Sequence, residues 1–464
     1  MKSRERGLLQ VLGVAFGLAV LVGNTIGMGI LRTPGEIATH LPSVPLFMAV
    51  WIVGALYALL GALSLAELGA QYPQSGGLYP YVRRGLGPAA GFTTGWTDWV
   101  ATTGSVSAVA IVLGEYAGPL IPPLDGHQKL TAAGVIIFFT LLQWRGIRIG
   151  DAAQRITSLL KAVALIALAV AALILGADAA TTAATAATAT APGTAAHAAN
   201  KAAEAIPTGV AFIGALVLAL QSAIYTYDGW TGPLYFAEEV KDPARDIPRS
   251  MIGGVLLVLA IYLALNIAFL RVVPIGEMAG DPFVAATAAA RIFGSNGATA
   301  VRVLMIISLV ATVNALMLMA SRVPYAMSRD GMMPAVFDSV NSGGTPVPSL
   351  VGVTLLSLLL IATNSFDSLL AILAFFFVAN YVLAFTAVFA LRRREPDAKR
   401  PFRIPGFPWT TGVALAGSVA FLVAAAMSDR ANSLRALLMF ALSVPFYLIA
   451  RRRATRTRQS PPST

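Results

Sequence analysis

Residues 22–35, Val22-Gly23-Asn24-Thr25-Ile26-Gly27-Met28-Gly29-Ile30-Leu31-Arg32-Thr33-Pro34-Gly35, lie inside an apolar run long enough to cross a bilayer. Gly23, Gly27 and Gly29 flank a polar Asn-Thr pair. Each glycine costs a helix roughly 1 kcal/mol relative to alanine, so the pattern predicts a broken helix with unwound backbone at membrane depth. Such backbone is tolerated only where it lines a buried polar cavity. A helix starting again near Ile30 would point free N–H groups and a positive dipole end into the break, which suits a carboxylate. A helix ending near Val22 would leave free carbonyls, which suit an ammonium. A second interruption, Tyr225-Thr226-Tyr227-Asp228-Gly229-Trp230-Thr231-Gly232-Pro233, adds carbonyls near Tyr227 and the carboxylate of Asp228. One ligand offering both charges side by side is an α-amino acid; a zwitterion of another kind would fit the same groups.

Lys161 is a further charge within an apolar segment. It falls about nine residues into its helix, roughly 13 Å deep at 1.5 Å per residue, too deep to reach water easily. Pairing with a stray carboxylate is one reading of it. Asp98, in another apolar segment, has no assigned role.

The segments that must position these groups follow from composition. The chain has 464 residues, 57% hydrophobic and 12% charged, against about 25% charged in a soluble domain. This is a polytopic all-α membrane protein. Windows of about 20 apolar residues predict twelve helices, over 9–33, 44–70, 89–117, 130–145, 152–176, 207–239, 248–272, 298–328, 347–364, 367–391, 409–428 and 432–450. The start reads as an uncleaved first helix rather than a signal peptide. Interruptions in the first and sixth helices are the trace of two five-helix inverted repeats, 9–176 and 207–391, with two additional helices over 409–450. Residues 177–205, rich in Ala and Thr, predict a flexible extracellular loop, and 451–464 a cytoplasmic tail.

The net charge of +11 is a matter of topology, not a nucleic-acid footprint. Arg83, Arg84, Arg145, Arg148, Lys241, Arg245, Arg329, Arg392 to Arg394 and Arg451 to Arg453 collect in loops on one side, with Lys2, Arg4 and Arg6. That side is cytoplasmic by the positive-inside rule, with both termini on it. The expected location is the plasma or inner membrane. There is no cysteine, and His40, His127 and His197 fall in predicted loops without ligand spacing, so no metal or cofactor is expected. No nucleophile–base pair supports an enzyme.

Several motifs, in order, carry a family resemblance. Gly23-Asn24-Thr25-Ile26-Gly27-Met28-Gly29-Ile30 resembles the first-helix motif of the amino acid–polyamine–organocation superfamily. Ala66-Glu67-Leu68, Tyr72-Pro73, Ser75-Gly76-Gly77 and Tyr79 resemble the motif after its second helix. Tyr227-Asp228-Gly229-Trp230, then Glu238-Glu239 and Lys241-Asp242-Pro243, are similar to the sixth helix of its L-type amino acid transporter branch. Asn314-Ala315, Ser321-Arg322 and Ser328-Arg329-Asp330-Gly331 resemble the eighth. The resemblance implies a leucine-transporter-type fold and a sodium-independent amino acid transporter, exchanger or proton-coupled permease, working by alternating access. A solute-sensing receptor or ion channel on the same fold is the alternative.

Residue by residue, the resemblance places a substrate carboxylate on Thr25, Ile26, Gly27 and Gly29. It places the amine on carbonyls near Val22, Gly23, Tyr225 and Asp228, beside Gly229. Tyr225 and Trp230 are the implied gate. Lys161, with Gln154 seven residues before it, resembles a substitute for a sodium ion between the first and eighth helices, with Ser308 or Thr312 as partners. Met28 stands where a serine is common, and removes a hydroxyl from the carboxylate site. Arg32 is a charge where the branch usually has none, and is expected to reach water or to select ligands at the outer mouth. Glu67, Glu238 and Glu239 are candidates to pair with Arg4, Arg6 or Arg83 at an inner gate; ordinary solvated helix ends are the alternative. Animal members of the branch carry a disulfide-linked partner subunit; a chain without cysteine cannot.

Overall fold

A computed structural model describes residues 8–27, 29–190, 207–363, 366–428 and 430–459. The regular structure in these residues is helical, apart from one isolated parallel bridge between Leu12 and Val240. Nine of the described helices are each long and apolar enough to span a membrane. Val14–Thr25 and Gly29–His40, bent by 47° at their junction, make a tenth. Gln128–Trp144 and Val347–Thr363, at the positions expected for the fourth and ninth helices, have 17 residues each, just short of a comfortable crossing. Numbered with these two included, the spans are the broken first; Val44–Gln71, second; Pro88–Ala117, third; Gln128–Trp144, fourth; Ile147–Thr190, fifth; Gly209–Thr226 with the 3-10 segment Gly232–Glu239, sixth; Pro243–Val272, seventh; Gly297–Arg329, eighth; Val347–Thr363, ninth; Phe366–Arg394, tenth; Trp409–Ser428, eleventh; and Arg430–Gln459, twelfth.

The third and eighth spans form the centre. Their most apolar windows are 72% and 78% buried, against 17% and 18% in the eleventh and twelfth. Large apolar side chains left outside recur at helical spacing, as in Ile156, Leu159, Leu160 and Val163 of the fifth span. This outward apolar stripe belongs to a helix that faces lipid.

Some boundaries differ from expectation. The first helix begins at Val14, not residue 9, because Leu12 is extended: its N–H donates to Glu239 O (3.0 Å) and its carbonyl accepts from Lys241 N–H (2.9 Å). The seventh begins at Pro243, since proline at a first helical position forfeits no hydrogen bond. The second half of the sixth span is a 3-10 segment rather than an α-helix. The fifth helix continues to Thr190, so the predicted loop begins as helix; its alanines are strong helix formers. The rest of that stretch lies outside the described residues, as do Arg4, Arg6, Met28 and His197. The twelfth helix likewise runs on to Gln459, through much of the expected tail.

Candidate functional site

The first span stops where its backbone bonds change hands. Ile26 N–H closes the last turn on Val22 O (3.0 Å), and Gly27 N–H turns back to Thr25 O (2.9 Å). The carbonyls this frees are met by the fifth and eighth spans. Lys161 Nζ donates to Gly23 O (2.9 Å), to Ile26 O and to Thr312 Oγ1 (3.1 Å). Thr312 Oγ1 also donates to Gly23 O (2.9 Å), and Ser308 Oγ to Ile26 O (3.1 Å). Lys161 is fully buried, and its ammonium has no carboxylate partner among the described ion pairs.

One turn earlier, Gln154 and Ser158 donate to Ala19 O at 3.2 and 2.7 Å. Gln154 in turn accepts from Asn314 Nδ2 (2.7 Å), and Gln143 Nε2 donates to Asn314 Oδ1 (3.0 Å). A polar ladder thus crosses the fourth, eighth and fifth spans and ends on the first.

The sixth span breaks after Thr226. Asp228 N–H bonds Tyr225 O (3.1 Å), and Gly229 takes φ +111°, a region glycine enters without a side-chain clash. A Cβ on Gly229 would stand 2.8 Å from both Asn24 Nδ2 and Thr25 Oγ1, so the two breaks touch through this glycine. Tyr262 of the seventh span holds them from the other side, its hydroxyl 2.9 Å from Thr25 O and 3.0 Å from Thr226 O.

Between the breaks lies a cavity of about 100 Å³. From the first span it is lined by Asn24, Thr25, Gly27 and Gly29. The sixth contributes Tyr225, Asp228, Gly229, Thr231 and Tyr235, and the third contributes Thr102 and Ser105. Thr312, Leu316 and Met319 of the eighth and Phe377 and Tyr381 of the tenth complete the wall. Asp228 is the one carboxylate among the lining residues, and it accepts from the Tyr381 hydroxyl. Thr25 Oγ1 is buried and without a partner in the protein. Gly29 opens the helix Gly29–His40, whose first-turn N–H groups have no intrahelical acceptors.

Thr25, Gly27, Gly29, Tyr225, Asp228, Gly229 and Thr312 therefore meet at one cavity, and Val22, Gly23, Ile26, Lys161, Ser308 and Trp230 do not line it. The expectation that Val22 and Gly23 offer open carbonyls is corrected: Val22 O serves Ile26, and Gly23 O accepts both Lys161 and Thr312. Trp230 does not stand over the cavity. It is buried against Gly61 of the second span and the rings of Tyr381 and Phe385, at centroid distances of 4.9 and 6.4 Å. Arg32 is exposed at the protein surface and does not line the cavity. Among the described residues no group of three His, Cys, Asp or Glu side chains is placed to hold a metal.

The three glutamates pair with other arginines than expected. Glu239 forms a two-pronged pair with Arg322 of the eighth span (3.0 and 3.1 Å), both side chains fully buried. Glu238 meets Arg329 at 2.6 Å, and Arg83 meets Asp330 at 2.9 Å. Glu67 takes Arg392 and the N–H of Ile404. Together with the Leu12–Val240 bridge, the contacts of Glu238 and Glu239 tie the segment before the first span, the sixth span and the eighth to one another, and Arg83–Asp330 ties the end of the eighth to the helix that carries Arg83.

Sequence reasoning did not single out Tyr262, Tyr381 or Tyr235, because a tyrosine in an apolar run reads as packing. The glycines also separate by role. A Cβ on Gly23 would lie 2.0 Å from Gln154 Nε2, and one on Gly29 2.9 Å from Thr226 Cγ2, whereas Gly27 has nothing within 4 Å. Gly23→Ala is expected to reduce activity more than tenfold and lower thermal stability, since overpacking costs about 1–3 kcal/mol. Gly27→Ala should fold as the wild type and alter only which ligands fit. Melting curves and ligand panels on the two purified variants check this.

The amino acid permease family model matches residues 7–449. The chain is 28% identical over 458 residues to the serine/threonine exchanger SteT of Bacillus subtilis, covering 96% of this chain and 98% of that protein. It is 26% identical to the b(0,+)-type amino acid transporter 1 of Mus musculus, over 87% of this chain and 80% of the relative. It is 28% identical to the large neutral amino acids transporter small subunit 2 of Oryctolagus cuniculus, over 86% and 72%.

Proposed function

The chain belongs to the amino acid permease family, and we propose that it exchanges small α-amino acids across the cell membrane, by alternating access and without sodium. The observation that carries this reading is the cavity where both broken spans meet. The first turn of Gly29–His40 supplies N–H donors and a positive dipole end for the substrate carboxylate, with the unpaired Thr25 hydroxyl beside them. The Asp228 carboxylate receives the ammonium, since Tyr225 O and Thr226 O already accept hydrogen bonds within the protein, and Tyr225 covers the ligand. Thr102 and Ser105 favour small polar side chains, in keeping with the serine/threonine exchanger among the relatives.

Independence from sodium rests on Lys161. Two carbonyls and a hydroxyl gathered around one point are ligands for a cation, and the ammonium already occupies them. Two inverted repeats, 9–176 and 207–391, explain why the breaks fall in the first and sixth spans. Both termini are cytoplasmic, and no partner subunit is joined by a disulfide, as the sequence has no cysteine.

Proteoliposomes loaded with single amino acids test the reading. Uptake of labelled serine or threonine should be stimulated several-fold by internal substrate, with or without sodium. Uptake indifferent to internal substrate would overturn exchange. Orientation is checked by single cysteines in cells. Thr190→Cys should react with an impermeant thiol reagent from outside and Asp242→Cys should not; labelling of the latter would reverse the assignment.

A further inference from the structure

Asp98 is a buried carboxylate outside the substrate contacts described above. It sits in the third span with 1% of its surface exposed. Oδ1 accepts from the Tyr235 hydroxyl at 2.6 Å and lies 3.4 Å from the Thr102 hydroxyl. Oδ2 has no partner. The loop carrying Gly77, at φ +64°, closes over that oxygen, and a Cβ there would stand 2.9 Å away.

Among the described residues, no cationic side chain forms an ion pair with Asp98 or offsets its charge. The sixth span presents Tyr235 and, farther off, Asp228, whose charge has the same sign. The tenth presents Tyr381, already committed to Asp228. Arg322 of the eighth is committed to Glu239, and the Gly76–Gly77 loop brings no ionisable side chain. An ionised carboxylate with one bare oxygen in such a place lacks the partners that burial demands. A proton on Oδ2 removes the charge and leaves Oδ1 as the acceptor the two hydroxyls require.

We propose that Asp98 is a proton-binding site, occupied in this conformation and emptied when the 3-10 half of the sixth span moves. Tyr235 and Thr102 both line the substrate cavity, so Asp98 lies one side chain behind its wall. Tyr235 belongs to Gly232–Glu239, the segment held at the end of the bundle where the described chain begins by Glu239 on Arg322 and on the N–H of Leu12. Opening that end withdraws Tyr235 and admits water to the carboxyl. The O–H bond of Oδ2 then breaks, its electron pair stays on the oxygen, and the proton passes to water on that side. The closed conformation takes a proton back from the cavity side. The cargo of this site is a proton moving with the substrate, and the inference rests on the transport reading above.

The test uses the reconstituted full chain with labelled serine or threonine, at symmetric pH and with the outer compartment acidified. The wild type should take up substrate at least about threefold faster under the gradient. In Asp98→Asn the ratio of gradient to symmetric-pH uptake should fall to about one. Tyr235→Phe, which keeps the carboxyl and removes only its donor, should retain a gradient response with a displaced pH midpoint. Infrared difference spectra of the protein in lipid provide a readout that does not need transport: a protonated-carboxyl C=O band at neutral pH that Asp98→Asn removes. Absence of that band in the wild type, or an undiminished ratio in Asp98→Asn, overturns the proposal. Absence of all substrate movement, with the band present, would instead overturn the transport reading.

Discussion

Replacing Lys161 with alanine is expected to slow exchange on the order of a hundredfold while changing substrate affinity by no more than about threefold. Hydrogen bonds from a charged donor contribute about 1.5–3 kcal/mol each. Lys161 makes three polar contacts, but Thr312 and Ser308 continue to serve the same two carbonyls. A net loss of about 3 kcal/mol remains, a factor on the order of a hundred at about 1.4 kcal/mol per tenfold. Affinity is spared because Lys161 does not line the cavity; it acts on how firmly the end of the first helix is held. Exchange rate and binding isotherm, measured on the same preparation, separate the two. A Lys161→Ala protein that exchanges at the wild-type rate would remove the ammonium from the mechanism, as would a wild type that requires sodium.

Breaking the Arg322–Glu239 pair should have an effect of similar size on the fold itself. Both groups are fully out of solvent, and Arg322 also donates to Leu318 O and stands 5.0 Å over the Phe236 ring. Removing one partner of such a pair costs about 3–5 kcal/mol, because the other charge is left buried and alone. Arg322→Met is therefore expected to lower the melting temperature by several degrees and to cut exchange more than tenfold. Arg322→Met combined with Glu239→Met should be more stable than either single change, since an apolar pair leaves no stranded charge. Melting of the three detergent-solubilised variants is the measurement. A double variant less stable than both singles would mean that the pair is held by something other than mutual charge.

The broken spans were legible in the sequence because glycine and proline carry their backbone consequences with them. That a lone ammonium at membrane depth must find a partner was legible from Lys161 alone; its link to Ser308 and Thr312 came from the family resemblance, since nothing in the local sequence names them. What the glycines are for was not legible. Gly23 yields to Gln154 and Gly29 to Thr226, and these are contacts between residues far apart in the chain. The partners of Glu67, Glu238 and Glu239 were not legible for the same reason. The described partners are Arg392, Arg329 and Arg322, from the tenth and eighth spans, and only the packing of helices shows which guanidinium is near. Gly232–Glu239 reads as helix by composition but is a 3-10 segment, tied through Glu239 to Arg322 of the eighth span and to the N–H of Leu12.

The hydroxyl of Tyr262 faces two carbonyls but has one proton to give. A displacement that carries Thr25 and Thr226 together keeps that proton engaged. A displacement of either alone leaves one carbonyl with no share in it, at about 1 kcal/mol, or roughly a fivefold loss of population. The shared hydroxyl thus biases the two breaks, by that factor, toward moving together. For a carrier, states with one hinge moved and the other still in place are those through which solute slips without its counterpart. A phenol buried in the seventh span, in no contact with the cavity, therefore bears on how tightly the stoichiometry is kept.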